Sequence, residues 1–259
     1  MTQLFTMNAL PSLLVAQITD THLFADVEPN VFGVPTYKSL QVVVERLSKI
    51  QPQPDILLLT GDLSQDESSQ SYDRVHNVLA PLNIPTYWLP GNHDNLQVME
   101  QVLQQPPIDA TKSFHAGGWN FLLLSSLVPG CVHGEISKQS LEWLELQLTN
   151  HPTLIAVHHP PCLINSDWMD NINLRNYEEF LAVVDRYPQV KLVVFGHIHQ
   201  EFDTQRYGVR YLGSPSTCVQ FQPESREFAI DKQAQPGFRL LNLFVDGTYN
   251  TEIVRTYSA

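Results

Sequence analysis

An α/β fold with strands covered on both faces is predicted by three observations on this 259-residue chain. Short runs rich in Val, Leu and Ile alternate with longer amphipathic ones. Several of the short runs are apolar without interruption, as expected when neither face of a strand meets water. Five polar clusters, each rich in His, Asp or Asn, follow where such runs stop.

Taken in order, the strand candidates are Leu13–Ile18, Ile56–Thr60, Thr86–Leu89, Trp119–Ser125, Leu154–Val157 and Leu192–Phe195. Helices are predicted between them. Lys38–Ile50 puts Leu40, Val43, Val44 and Leu47 on one stripe, and Ser137–Leu148 does the same with Leu141, Leu144 and Leu148, Ser137 serving as N-cap. Asn176–Tyr187 repeats the spacing through Tyr177, Phe180, Leu181 and Val184. Near the end, Arg239–Phe244 and Thr251–Tyr257 flank Asp246-Gly247, a hairpin turn pair that predicts antiparallel strands. The stretch Ser214 to Phe238 is polar and irregular, and reads as a cap or interface element.

The length suits one domain over residues 1–259, burying roughly three quarters of its unfolded surface. No repeat, low-complexity tract or linker divides it. The net charge of −12, with basic residues scattered, argues against an extended nucleic-acid partner. Met1 to Asn8 has no basic charge ahead of an apolar run, and Leu13 to Ile18 is too short to span a bilayer, so a cytoplasmic protein without a membrane partner is expected. Cys131, Cys162 and Cys218 are odd in number and form no Cys-x-x-Cys pair, which disfavours a disulfide framework or zinc ribbon.

The chemistry lies in the five clusters. After the first strand, Asp20-Thr-His22 can turn a carboxylate and an imidazole toward one cation, because alternate residues of an extended chain point the same way. Gly61-Asp62 delivers a carboxylate able to bridge two ions at the end of the second strand. Gly91-Asn92-His93-Asp94 combines an amide oxygen fit for a metal with an adjacent imidazole, His93, free to act as an acid and placed for Asp94 to orient. One of His158 and His159 is expected to bind metal, and Pro160-Pro161 stops the strand before them from continuing. Gly196-His197-Ile198-His199 closes the set with two imidazoles at strand spacing. His76, His115, His133 and His151 match no ligand spacing. Mixed imidazole, carboxylate and amide donors without thiolate suit iron, manganese, zinc or cobalt better than calcium or copper(I).

These five motifs, from Asp20 to His199, resemble those of the calcineurin-like metallophosphoesterases. Within them the chain looks most like the bacterial class III cyclic-nucleotide phosphodiesterases, on Gln17-Ile-Thr-Asp-Thr-His-Leu-Phe24, His158-His-Pro-Pro161, the stretch Trp168 to Asn176, and Gly213-Ser-Pro-Ser-Thr-Cys-Val-Gln-Phe221. The resemblance implies a four-layered α/β/β/α sandwich of mixed sheets with a dinuclear metal site at their carboxyl edges. Carried over, one ion takes Asp20, His22 and His199, the other takes Asn92, His158 and His197, and Asp62 bridges them. The usual ions would be iron and manganese. A metal-bridging hydroxide would attack phosphorus, His93 would protonate the leaving oxygen, and His22, Asn92 and His93 would contact the substrate.

On this reading the substrate is 3′,5′-cyclic AMP, giving 5′-AMP. The alternatives are a 2′,3′-cyclic nucleotide, glycerophosphodiester or nucleotide hydrolase with the same machinery, and, more remotely, a non-catalytic scaffold. The resemblance also implies a homodimer through the segment near Cys218 to Phe228. Asn165 to Asn176 is expected to wall the nucleotide pocket, with Trp168 or Tyr177 either facing a purine or packed within the protein.

Overall fold

The computed structural model describes residues 12–256. Met1 to Asn8, and Tyr257 at the end of the last expected strand, lie outside the described residues. In chain order the first half holds β1 (Ser12–Ile18), a small hairpin of β2 (Asn30–Val31) and β3 (Val34–Pro35), α1 (Thr36–Ser48), β4 (Ile56–Thr60), α2 (Ser69–Leu79), β5 (Thr86–Leu89), α3 (Leu96–Val102) and β6 (Ile108–Asp109). Then come β7 (Ser113–Ala116), β8 (Trp119–Leu123), α4 (Lys138–Gln147), β9 (Thr153–Ala156), α5 (Asp167–Asp170), α6 (Tyr177–Val184), β10 (Val190–Phe195), β11 (Phe202–Arg206) and β12 (Val209–Gly213). The chain returns to the first sheet with β13 (Gly237–Phe244) and β14 (Tyr249–Arg255).

Two six-stranded mixed sheets result, ordered β14-β13-β1-β4-β5-β6 and β11-β12-β10-β9-β8-β7. In the first, β1, β4, β5 and β6 run parallel while β13 and β14 are antiparallel to their neighbours; in the second, β12, β10, β9 and β8 are parallel with antiparallel edges. The sheets pack face to face, with α1 to α3 on one outer face and α4 to α6 on the other, which is the expected α/β/β/α sandwich.

The uninterrupted apolar runs follow from this layering. Along β4, Ile56 and Leu58 enter the layer between the sheets whereas Leu57 and Leu59 pack under the helices. Along β10, Leu192 and Val194 face inward while Val193 and Phe195 meet the second helical layer. Alternate side chains point to opposite faces and both faces are dry, so each position is worth about 1.5–3 kcal/mol of apolar burial.

The predicted helices form with trimmed ends. Ser137 caps α4 by accepting from the Ser140 N–H. The sequence reading did not resolve α2, although Ser68 caps it and Tyr72, Val75 and Leu79 form its buried stripe. Nor did it resolve the hairpin of β11 and β12, whose first strand is largely exposed and polar.

The segment from Ser214 divides in two. Ser214 to Phe221 is buried throughout, while 222 to 228 is mainly exposed. Within the segment expected to form a dimer contact, Cys218 and Phe221 are thus held inside the chain, and any such surface would lie over 222 to 228.

At the carboxyl edge the apolar inter-sheet layer gives way to a polar strut. Gln17 donates to Thr60 Oγ1 at 2.8 Å and to the Phe195 carbonyl at 3.1 Å, across the two sheets. Ser214 donates to Gln17 at 2.6 Å, and buried Arg239 donates to Ser214 and to the Gly213 carbonyl. The strut fixes the sheets relative to one another directly beneath the five clusters. Among the described residues no helix is long and apolar enough to cross a membrane.

The inter-sheet layer is expected to carry the stability. Leu58→Ala should cost about 2–5 kcal/mol in urea unfolding, and Leu146→Ala, at a position 82% exposed, should stay within about 0.5 kcal/mol. Equal midpoints for the two variants would contradict this placement of the core.

Candidate dinuclear metal site

Each cluster occupies the turn that leaves a strand, and the turns are tightly shaped. Asp20, His22, Asp62, His197 and His199 all have positive φ, between 46° and 68°. Such left-handed backbone is uncommon for residues with a Cβ, although Asp and His tolerate it better than most, and it persists only where the surroundings over-determine it. The surroundings here are backbone ladders. The Asp20 and His22 N–H groups donate to the Gly61 and Asp62 carbonyls at 3.0 Å each, extending the pairing of β1 and β4 beyond the strands. The His197 N–H donates to the Asp20 carboxylate, and the His93 N–H to Asp62 Oδ1 at 2.9 Å. Two glycines are required by closeness: a Cβ on Gly91 would run into the Asp62 carboxylate, and one on Gly196 into Thr19 Oγ1.

The side chains converge. His158 Nε2 lies 3.3 Å from both Asp62 Oδ2 and Asn92 Oδ1, His199 Nε2 lies 3.3 Å from Asp20 Oδ1, and His22 Nε2 lies 3.8 Å from Asp62 Oδ2. All seven residues singled out as ligands, Asp20, His22, Asp62, Asn92, His158, His197 and His199, are thus drawn to one carboxyl edge.

Tautomers decide what this cluster can bind. His22 Nδ1 faces the Gln65 carbonyl oxygen at 2.7 Å, His158 Nδ1 the Thr60 carbonyl at 2.8 Å and His199 Nδ1 the Val219 carbonyl at 2.9 Å. An acceptor at each Nδ1 requires the proton there, which leaves each Nε2 a lone pair directed inward. His22 Nε2 and His199 Nε2 consequently stand 3.1 Å apart as two acceptors with no proton between them. His197 Nε2 is buried and has no hydrogen-bond partner. Facing lone pairs and an orphaned nitrogen beside two carboxylates are unfavourable without a cation, so the residues present fit a metal pair.

The titration behaviour agrees. Burial pushes His22 down to about 4, the Asp62 charge offsetting only part of the effect. His197 is driven well below the usual imidazole range by burial and by the neighbouring His159 and His158. Burial opposes a charge on His158, yet the Asp62 carboxylate beside it lifts it to about 9. Burial likewise opposes the charge on Asp62, yet the His158 charge and hydrogen bond, joined by His22 and His93, together hold it well below the carboxylate range. In the metal-free protein the second proton of His158, on Nε2, stands where a cation would otherwise neutralise Asp62, and the inward lone pair of this ring is exposed when a cation displaces that proton.

Around the donors, one sequence reading changes. Asp94 does not orient His93. Its carboxylate turns inward and accepts from the Leu63, Ser64 and Gly91 N–H groups and the Tyr72 hydroxyl, tying the Asp62 turn to the Asn92 turn. Burial, followed by the Asp62 charge, pushes it up to about 7 despite those donors. The partner of His93 is Gln65, whose amide nitrogen donates to His93 Nδ1 at 3.1 Å while its oxygen accepts from His22. Gln65 belongs to no motif, and only the folded turn brings it between two histidines.

His159 has both ring nitrogens engaged by protein, Nδ1 with Ser126 Oγ at 2.8 Å and Nε2 with the Val132 carbonyl at 3.0 Å, and packs edge-on behind His158. Cys218 lies near His22 and His199, but its thiol donates to the Asp20 carbonyl and burial pushes it up to about 12, so it beds the turn as a neutral group.

A cleft of about 490 Å³ opens over the cluster. His22, Asp62, Gln65, Asn92 and His93 line its floor, and Phe24, Val31, Phe32, Trp168, Phe221 and Phe228 its walls. The expected pocket wall is half realised. Trp168 lines the cleft but packs edge-on against Phe221 and Phe228, and Tyr177 lies elsewhere, beside Cys162 and Tyr211.

Known proteins resemble this chain in sequence and fold. Residues 13–201 match the family model of the calcineurin-like phosphoesterases. The chain is 51% identical over 252 residues to a 3′,5′-cyclic-nucleotide phosphodiesterase of Nostoc sp., covering 96% of this chain and 94% of that one. It is 44% identical over 245 residues to the 3′,5′-cyclic adenosine monophosphate phosphodiesterase CpdA of Escherichia coli K12, covering 93% and 89%. A dimetal phosphatase from Danio rerio superposes with a TM-score of 0.66 at 14% identity, over 96% of this chain and all of that one, a likeness of fold alone. With the family model spanning most of its length and such relatives covering nearly all of it, this chain belongs to the calcineurin-like phosphoesterases.

Proposed function

We propose that this protein hydrolyses 3′,5′-cyclic AMP to 5′-AMP at the carboxyl edge of its two sheets. One observation carries the reading: near end-to-end identity of 51% and 44% with relatives named as 3′,5′-cyclic nucleotide phosphodiesterases. The gathered donor set supports it. Asp20, His22 and His199 would hold one cation, Asn92, His158 and His197 the other, and Asp62 would bridge them. Manganese and iron are the ions to test first, with zinc or cobalt also compatible with these donors. Two cations so held supply an activated water at neutral pH and neutralise charge on the phosphoryl oxygens.

The remaining steps belong to the chain itself. His93 stands beside His22, the ring centroids 5.0 Å apart, and lines the cleft floor. Because Gln65 donates to its Nδ1, the ring keeps its proton on Nε2, the tautomer able to protonate a departing oxygen. For a 3′,5′-cyclic nucleotide that oxygen is O3′, and its protonation leaves the phosphate on O5′. Gln65 therefore acts through His93 and His22, fixing the proton of each on opposite nitrogens: Nε2 for the donor, Nδ1 for the ligand.

Metal-free protein reconstituted with manganese or iron should turn over 3′,5′-cyclic AMP faster than a 2′,3′-cyclic nucleotide, a glycerophosphodiester or a simple monoester. Chromatography should show 5′-AMP. Release of 3′-AMP, or a preference for another of these substrates, would contradict the reading.

His93→Ala should keep its bound metal and lose about 10²–10⁴-fold in kcat on 3′,5′-cyclic AMP. Gln65→Leu should fall between that variant and the parent. Both should approach parental rates on a p-nitrophenyl phosphodiester, whose leaving group needs no proton. Normal turnover of the cyclic nucleotide by His93→Ala would remove it as the acid.

A further inference from the structure

An aromatic ladder leads outward from the metal-site donors, and its far end breaks a local rule. His199 stacks on Phe221 with centroids 4.3 Å apart and planes 12° apart. Phe221 meets Phe228 at 5.4 Å, and Phe228 meets Phe32 at 5.1 Å with a 40° tilt. Trp168 braces Phe221 and Phe228 from the side, edge-on at 5.2 Å to each. The outer pair is open to solvent, Phe32 being 60% exposed and Phe228 46%. Both line the same cleft as His22, Asn92 and His93.

Phe32 sits at the tip of the β2–β3 hairpin, where it and Gly33 have φ of 50° and 88°. Two consecutive positive φ values are the requirement of a tight hairpin turn that favours Asn-Gly; a bulky aromatic at the first position is locally unfavourable. The hairpin tolerates it because Asn30 Oδ1 accepts from the Gly33 N–H at 2.9 Å and the strands pair on either side. A large apolar ring is thus held in solvent, in a conformation it disfavours, at the mouth of the cleft. Departures of this kind from local preference concentrate where a residue serves binding.

Resting on the reading of the site as a cyclic-nucleotide phosphodiesterase, we propose that Phe32 and Phe228 form the base subsite, a wall against which the purine of the substrate stacks while its phosphate lies over the donor cluster. Stacking suits this wall because both exposed side chains are aromatic and carry no hydrogen-bonding group. Purines, with the larger π-face, gain more from it than pyrimidines.

The test replaces Phe32 by Asn, the residue the turn prefers, so that the fold is kept while the ring is lost. In manganese-loaded protein, Phe32→Asn should melt no lower than the parent. It should raise KM for 3′,5′-cyclic AMP about 10- to 100-fold with kcat little changed, and leave KM unaltered for the base-free methyl riboside 3′,5′-cyclic phosphate. Phe32→Trp should restore the low KM. Calorimetry supplies a readout independent of turnover: the parent should bind 5′-AMP about 10- to 100-fold tighter than ribose 5-phosphate, and Phe32→Asn should lose that margin. An unchanged KM for cyclic AMP, an equal rise for both substrates, or no margin in the parent would overturn the subsite even with hydrolysis intact. A full margin in a parent that fails to hydrolyse cyclic AMP would support the subsite and sink the catalytic reading instead.

Discussion

The hydrogen bonds that tie three of the four candidate ligand histidines back to the protein are the constraint on which the site depends. An imidazole has two nitrogens, and without a partner either could carry the proton. Here the Thr60 and Val219 carbonyls and the Gln65 side chain claim the Nδ1 protons of His158, His199 and His22, so all three Nε2 lone pairs face inward. The price is repulsion in the metal-free protein, with two Nε2 atoms 3.1 Å apart and a third imidazole left without a partner. That repulsion is relieved by binding a cation. The arrangement is preorganised for metal in the sense that little has to move.

Such unfavourable geometry needs a frame that cannot relax, and the sandwich supplies it. The acceptors come from different elements: Thr60 ends β4, Val219 lies in the buried strap after β12, and Gln65 lies in the turn after Asp62. They are locked together by the strut from Gln17 to Thr60, Phe195, Ser214 and Arg239, and by Asp94 clamping two turns through three backbone N–H groups. Left-handed backbone at Asp20, His22, Asp62, His197 and His199 is the strain this frame sustains.

Much of the site was legible in the sequence because its chemistry is concentrated in unusual residues at strand ends. The layering was legible too: Ile56-Leu-Leu-Leu-Thr60 and Leu192–Phe195 lack polar alternation because both faces are covered. Where reading failed, the cause was spatial. Asp94 adjoins His93 in sequence, but neighbours in a turn point apart, and Asp94 faces inward. Gln65 carries no signal of its own, since it matters only through the two rings that folding sets beside it. Helix α2 was hidden by its serine-rich start, and β11 by its exposure at a sheet edge. The one local clue left unread was Val31-Phe-Gly-Val34, where a phenylalanine occupies a turn position suited to asparagine.

The most direct measurement is anomalous diffraction from crystals of the manganese-loaded protein. The account predicts two peaks roughly 3.5–4 Å apart, one bonded by Asp20, His22 and His199 and the other by Asn92, His158 and His197, with Asp62 touching both. A single peak, peaks at other side chains, or no metal here at saturating manganese would contradict it.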